Sequence, residues 1–153
     1  MDDAQFLGAI ASQSLDALGT PSLTRCAYLC LRQGRREGMD RLLAEISAFQ
    51  GRPGANRFAH ETLAYFCMHM VHFYASSSGW SLDQPFAAFA GTCAQALDPF
   101  LYKRHYSEAL LFSELAKMSL QLPDLCPLPT MLPRAAAAVL VPPGGHEARA
   151  AVA

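Results

Sequence analysis

Apolar residues recur at intervals of three and four along most of this chain, and strict alternation nowhere persists over six residues, so the pattern is one of helices and not strands. Phe6, Leu7, Ile10, Ser14, Leu15 and Leu18 share a face behind the capping candidates Asp2 and Asp3 and run on to Gly19, which predicts a first helix over 3–18. Thr20-Pro21-Ser22 supplies a turn and an N-cap for a second, with Leu23, Cys26, Ala27, Cys30 and Leu31 inward until Gly34. A third helix over 36–50 turns Met39, Leu42, Leu43, Ile46 and Phe49 inward, leaving Arg35, Arg36, Asp40, Arg41 and Glu45 on a solvated face.

After the Gly- and Pro-broken residues 51–56, the stretch 57–76 holds neither Gly nor Pro and is long enough for about five helical turns. It predicts the most buried helix of the fold. Leu63, Cys67, Met70, Val71 and Tyr74 form its apolar arc, with His60 inward at the start, while Glu61, Tyr65, His69 and His72 gather on a neighbouring polar arc. Ser81 and Asp83 are candidate caps for the next helix, whose buried face is Phe86, Phe89, Ala90, Cys93 and Leu97 and which ends by Asp98-Pro99. Ser107-Glu108 and Ser113-Glu114 then read as two successive helix starts, the second over 114–120. Pro123, Pro127 and Pro129 forbid a continued helix and lay the following segment out along the surface. Past residue 133 the composition shifts to Ala, Pro and Gly. The fold expected is therefore all-α, a single compact bundle of five or six helices over 1–133 with a weakly ordered Pro/Ala-rich tail over 134–153.

At 153 residues and 52% hydrophobic content the chain can bury one core. A net charge of −1 gives no footprint for nucleic acid or an anionic membrane, which leaves small molecules, proteins or a second copy of the chain as partners. The five cysteines lack CxxC spacing, and Cys26 and Cys30, one helical turn apart, suit a core stripe better than a zinc knuckle. They read as reduced residues of a cytoplasmic protein. The acidic start Met1-Asp2-Asp3 is unlike a signal peptide, and no run reaches the roughly 18 apolar residues of a membrane span.

The candidate chemistry lies on and around the 57–76 stretch. His60 can move a proton near neutral pH and Glu61 beside it can orient substrate or hold charge, with the hydroxyls of Tyr106 and Ser107 joining if the second half of the fold packs there. Phe58, Tyr65, Phe66, Tyr102 and Arg104 would wall and line such a pocket. The plainer alternative makes Glu61 a first-turn acid and His60 a hydrogen-bonded core residue. His69 and His72 have i,i+3 spacing that suits a divalent metal, but no third ligand and no HExxH pattern accompany them, so no metal or other cofactor is assigned. Cys67 sits on the apolar arc, where a thiol is usually inert, and neither a Gly-rich phosphate loop nor a GxSxG elbow is present.

The segments AHETLAYF (59–66), YKRHYSEALLFSELAK (102–117) and PDLCPLP (123–129), in this order, resemble a group of small, largely uncharacterised bacterial all-helical proteins with HETL, YS and PDLxPLP motifs. The resemblance spans about residues 22–129 and implies a fold and a pocket, with no assigned reaction. Those proteins usually carry a histidine in a THxxHL-like stretch where this chain reads Pro21-Ser22-Leu23-Thr24. Three functional expectations follow. The first is a cofactor-independent acid/base enzyme acting on a small aromatic substrate, for instance in a condensation or Pictet–Spengler-type cyclisation. The others are a non-catalytic ligand-binding or interaction module and a divalent-metal-binding helical protein.

Overall fold

The first helix, α1 (Asp3–Ala11), opens with a capping box: Asp2 accepts the Gln5 N–H and the Gln5 side chain accepts the Asp2 N–H, both at 2.8 Å. This computed structural model describes residues 1–12, 14, 19–50 and 60–131. Helix α1 stops seven residues short of the 3–18 expected, because the hydroxyls of Ser12 and Ser14 both donate to the Ala9 carbonyl and compete with the next turn. Leu15, Leu18, Arg57, Phe58 and the tail over 134–153 lie outside the described residues.

Helix α2 (Thr20–Leu31) starts from an extended Gly19 with Pro21 in its first turn. Nine of its twelve residues are buried, including the expected stripe and also Tyr28 and Leu29 on other sides. It packs against α3 (Arg35–Gln50), α4 (Glu61–Ser77) and α5 (Phe86–Thr92), so α2, and not the expected 57–76 helix, is the most enclosed element. Gly34, at φ 97°, makes the turn into α3. Four residues on, Gly38 lets α3 lie directly on the end of α2: a Cβ there would stand 2.5 Å from the Cys30 carbonyl oxygen and 3.1 Å from Leu31 Cα.

On α4 the expected arcs are both visible. Leu63, Cys67, Met70 and Val71 are buried and Tyr74 half-buried, while Glu61, Tyr65, His69 and His72 are all half-buried along the neighbouring stripe. The helix begins four residues later than expected, with His60 outside it as the N-cap. The caps expected for α5 are also replaced: Asp3 Oδ2 accepts the Phe86 N–H at 2.9 Å, whereas Ser81 accepts only the Asp83 N–H of its own turn. Asp3 also takes two hydrogen bonds from Arg25. The loop between α4 and α5 is pinned to α2 through Trp80 Nε1–H to the Tyr28 hydroxyl (2.9 Å) and the Tyr28 hydroxyl to the Gln84 carbonyl (2.8 Å).

The α5 helix breaks at Cys93, whose φ and ψ leave the helical region, and gives way to 3-10 turns at Ala94–Leu97 and Leu101–Arg104. Ser107 and Ser113 then cap α6 (Glu108–Leu111) and α7 (Glu114–Met118), the two starts that the sequence marks. Every regular element among the described residues is helical, and the fold is all-α. The described residues hold seven α-helices against the five or six expected, since both starts after α5 form separate helices, of four and five residues. Among the described residues no helix is long and apolar enough to cross a membrane.

Residues 119–131 form an extended strap that doubles back over α4. Gln121 N–H donates to Thr62 Oγ1 (3.0 Å), which itself donates to the Ser119 carbonyl (2.9 Å). Asp124 accepts the Ser107 N–H and hydroxyl, and Leu125 N–H donates to the His105 carbonyl. Near its end the Pro129 carbonyl meets His69.

The backbone approach at Gly38 generates an opposed pair of outcomes. Gly38→Ala should lower stability by about 1–3 kcal/mol, because backbone atoms cannot swing aside as a side chain can. Gly8→Ala, where a Cβ meets nothing within 4 Å, should instead gain about 0.5–1 kcal/mol from helix propensity alone. Urea titrations of both variants measure the contrast.

Candidate functional site

The half-buried stripe of α4 and the strap face each other across a cleft of about 370 Å³. Tyr65 and His69 supply one wall, Tyr106 the floor, and Leu122, Pro123 and Leu128 much of the other wall. The Tyr65 and His69 rings, one helical turn apart, stack with centroids 6.0 Å apart and planes 30° from parallel. Tyr106 is only 1% exposed; its hydroxyl donates to the Gln121 carbonyl at 2.9 Å, so it serves to moor the strap. Burial, with Tyr65 and Asp124 acting in the same direction, pushes its pKa up to about 12 and keeps the phenol protonated.

The protonation of the two stripe histidines follows from their partners. Arg35 Nη1 lies 2.8 Å from His72 Nδ1 and Nη2 lies 3.4 Å from His69 Nδ1. A guanidinium can only donate, so both Nδ1 atoms accept and both rings are neutral with the proton on Nε2. His69 spends that proton on the Pro129 carbonyl at 2.7 Å. Burial first, and then the Arg35 charge, lower the pKa of both rings. A metal bridging this pair through Nδ1 would have to displace a cation from that position. No group of three or more His, Cys, Asp or Glu among the described residues is arranged to hold a metal.

His60 stands apart from the cleft. It is 1% exposed, its Nδ1 accepts the Leu63 N–H at 3.2 Å as a helix cap, and the edge of its contact with Phe112 closes another side at 5.8 Å. Among the described residues its Nε2 has no hydrogen-bond partner; the Ala116 backbone is near enough to favour a proton but does not reach bonding geometry. Burial, helped by the Lys117 charge, pushes its pKa down to about 4 against that opposing pull. The imidazole is a neutral structural cap in this arrangement.

Of the residues singled out in the sequence, Tyr65, Tyr106 and His69 line the cleft. Glu61 lies one turn before Tyr65 on the same stripe, half-buried and outside the lining. Phe66 is buried behind the floor, edge-on to Tyr106 at 6.1 Å, and Tyr102 is buried edge-on to Phe112. Arg104 is exposed on a 3-10 turn. Ser107 uses its hydroxyl to cap α6 and to hold Asp124 at 2.6 Å. Cys67 is sealed in the core, where burial pushes its thiol up to about 12.

Arg35 is the residue that the pattern misplaces, since it turns inward to the histidines and not to solvent. Its signal was available: as the first residue of α3 it puts a cation at the positive end of a helix, a poor position unless tertiary partners hold it there. No family profile, curated protein or solved structure matches the chain. The functional reading therefore rests on this geometry.

The buried cap gives stability a definite pH slope. His60 titrates near 6.5 when unfolded and about 4 when folded, so between these values the unfolded chain binds the extra proton. Its contribution is complete above pH 6.5 and is lost as pH falls toward 4. His60→Asn retains a capping side chain and should flatten the stability profile in this window relative to the wild type, by up to about 1.4 kcal/mol per pH unit. Chemical denaturation at stepped pH supplies the comparison; parallel profiles would place the titration elsewhere.

Proposed function

We propose that this chain binds a small, flat, largely apolar molecule in the cleft between α4 and the strap. The observation that carries the reading is a ligand-sized space whose rings are already committed: Tyr65 and His69 are stacked, His69 is bonded at both nitrogens, and Tyr106 donates to Gln121. A space of about 370 Å³ falls within the range of small-molecule sites, and its mixture of aromatic faces and aliphatic strap residues favours stacking and apolar burial. Polar groups already satisfied gain little from a hydrophilic ligand. Within the cleft, affinity then comes chiefly from surface removed from water.

Turnover is the second reading, and Glu61 is what favours it. Its carboxylate is half-buried on the cleft stripe four residues before Tyr65, where a proton acceptor could serve a condensation or cyclisation of an aromatic substrate. His60 does not share that role while it is buried as a neutral cap. The acid/base chemistry on this reading therefore falls to Glu61, with Tyr65 and His69 positioning the ring.

A thermal-shift screen against aromatic acids, amines and aldehydes tests both. Leu122 lines the cleft and is largely exposed, so Leu122→Trp should keep the melting temperature within a few degrees yet abolish the shift from any cleft ligand. A shift that survives this filling would place the ligand elsewhere. Glu61→Gln should leave binding intact under the first reading and remove turnover by a factor on the order of 10² under the second.

A further inference from the structure

A half-buried cation with no counter-charge among the described residues stands one side chain from the cleft. Arg35 donates to His72 Nδ1 and His69 Nδ1, and its guanidinium carbon lies 5.6 Å from the centre of the Tyr65 ring. Both histidines accept as neutral rings, so neither contact cancels the charge. Arg25 and Arg32 share the Asp3 carboxylate and Arg41 faces Glu45, but among the described residues no carboxylate lies within ion-pair distance of Arg35. Glu37, on the same turn, has its Oε2 back over Gly34, within 3.2 Å of where a Cβ would stand. With Nδ1 occupied, His72 carries its proton on Nε2, and that N–H has no acceptor among the described residues. The cluster is thus rich in donors and positive charge, and the two rings that Arg35 touches besides His72, those of Tyr65 and His69, are both cleft walls.

We infer that Arg35 binds the carboxylate of a flat organic acid whose ring occupies the cleft beside Tyr65 and His69. The inference rests on the cleft reading above and narrows its ligand to an acid. The two histidines take one N–H from each Nη of the guanidinium, which leaves three of its five N–H groups for a carboxylate, and charge-assisted bonds of this kind are the strong ones. Two imidazoles already hold this guanidinium in place, so little side-chain freedom remains to be lost on binding. The ligand would supply the negative group that the described residues around Arg35 lack.

Calorimetric affinities for benzoate, indole-3-acetate and 2-naphthoate, each beside its primary amide, decide the matter on the full chain and on Arg35→Gln. At least one acid should bind the wild type on the order of ten-fold more tightly than its amide, and that preference should fall to about two-fold or less in Arg35→Gln. Because the acid-to-amide ratio is taken within each protein, a loss of stability in the variant does not imitate this result. If Arg35→Gln does not fold, Arg35→Lys takes its place; lacking the planar fork, it should give up most of the preference. Equal affinity for acid and amide in the wild type would overturn the inference and leave the cleft reading standing. A preference that survives replacement of Arg35 would overturn it as well. Failure of all these compounds to bind the wild type would count against the cleft itself and remove the inference with it.

Discussion

The fold depends on one backbone contact that admits no side chain. At Gly38, α3 rests on the last turn of α2 so closely that a single methyl group would enter the Cys30 carbonyl. This sets how α3 crosses α2, and the crossing in turn brings Leu42, Ile46 and Phe49 onto the core. The same placement delivers the start of α3, and with it Arg35, to the stripe of α4. A glycine in a helix interior is ordinarily a liability of about 1 kcal/mol. Here it is the condition for two helices to meet.

Around that contact the molecule separates two uses of histidine. His60 is buried among Leu63, Phe112 and Ala116, where its ring closes the start of α4 and is kept neutral by desolvation. His69 and His72 lie half-buried about two and a half and just over three turns further along the helix, kept neutral by burial and by a guanidinium. The first holds a helix end. The others sit around a charge, and His69 of the two lines the cleft.

Helical periodicity made much of this visible in the chain. The arcs of α4 separate in the structure as the spacing requires, since each lies wholly on buried or half-buried positions, and the serine caps of α6 and α7 are local motifs readable within four residues. The site was legible only in outline. Tyr65, His69 and Tyr106 were within reach of pattern reasoning, but the strap wall was not, because Leu122, Pro123 and Leu128 carry no periodic signal and are placed by bonds to Thr62, Tyr106, His105 and Ser107. The two readings of His60 stayed open for a related reason: adjacency to Glu61 in sequence says nothing of whether its ring faces a cavity or a core. Arg35 escaped because a solvated face is the usual fate of an arginine.

The remote cap on α5 bears on the order in which the chain can acquire its structure. Helices of four to seven residues are not stable alone in water, and α5, α6 and α7 are all of that size. The N-terminal N–H of α5 is satisfied by a carboxylate 83 positions earlier, on α1. Closing a loop of that length costs entropy that no local contact in α5 returns. The later half of the chain thus draws part of its order from the earlier half: the start of α5 is satisfied when α1 lies alongside it, which couples the stability of the C-terminal segments to the docking of α1 on α2.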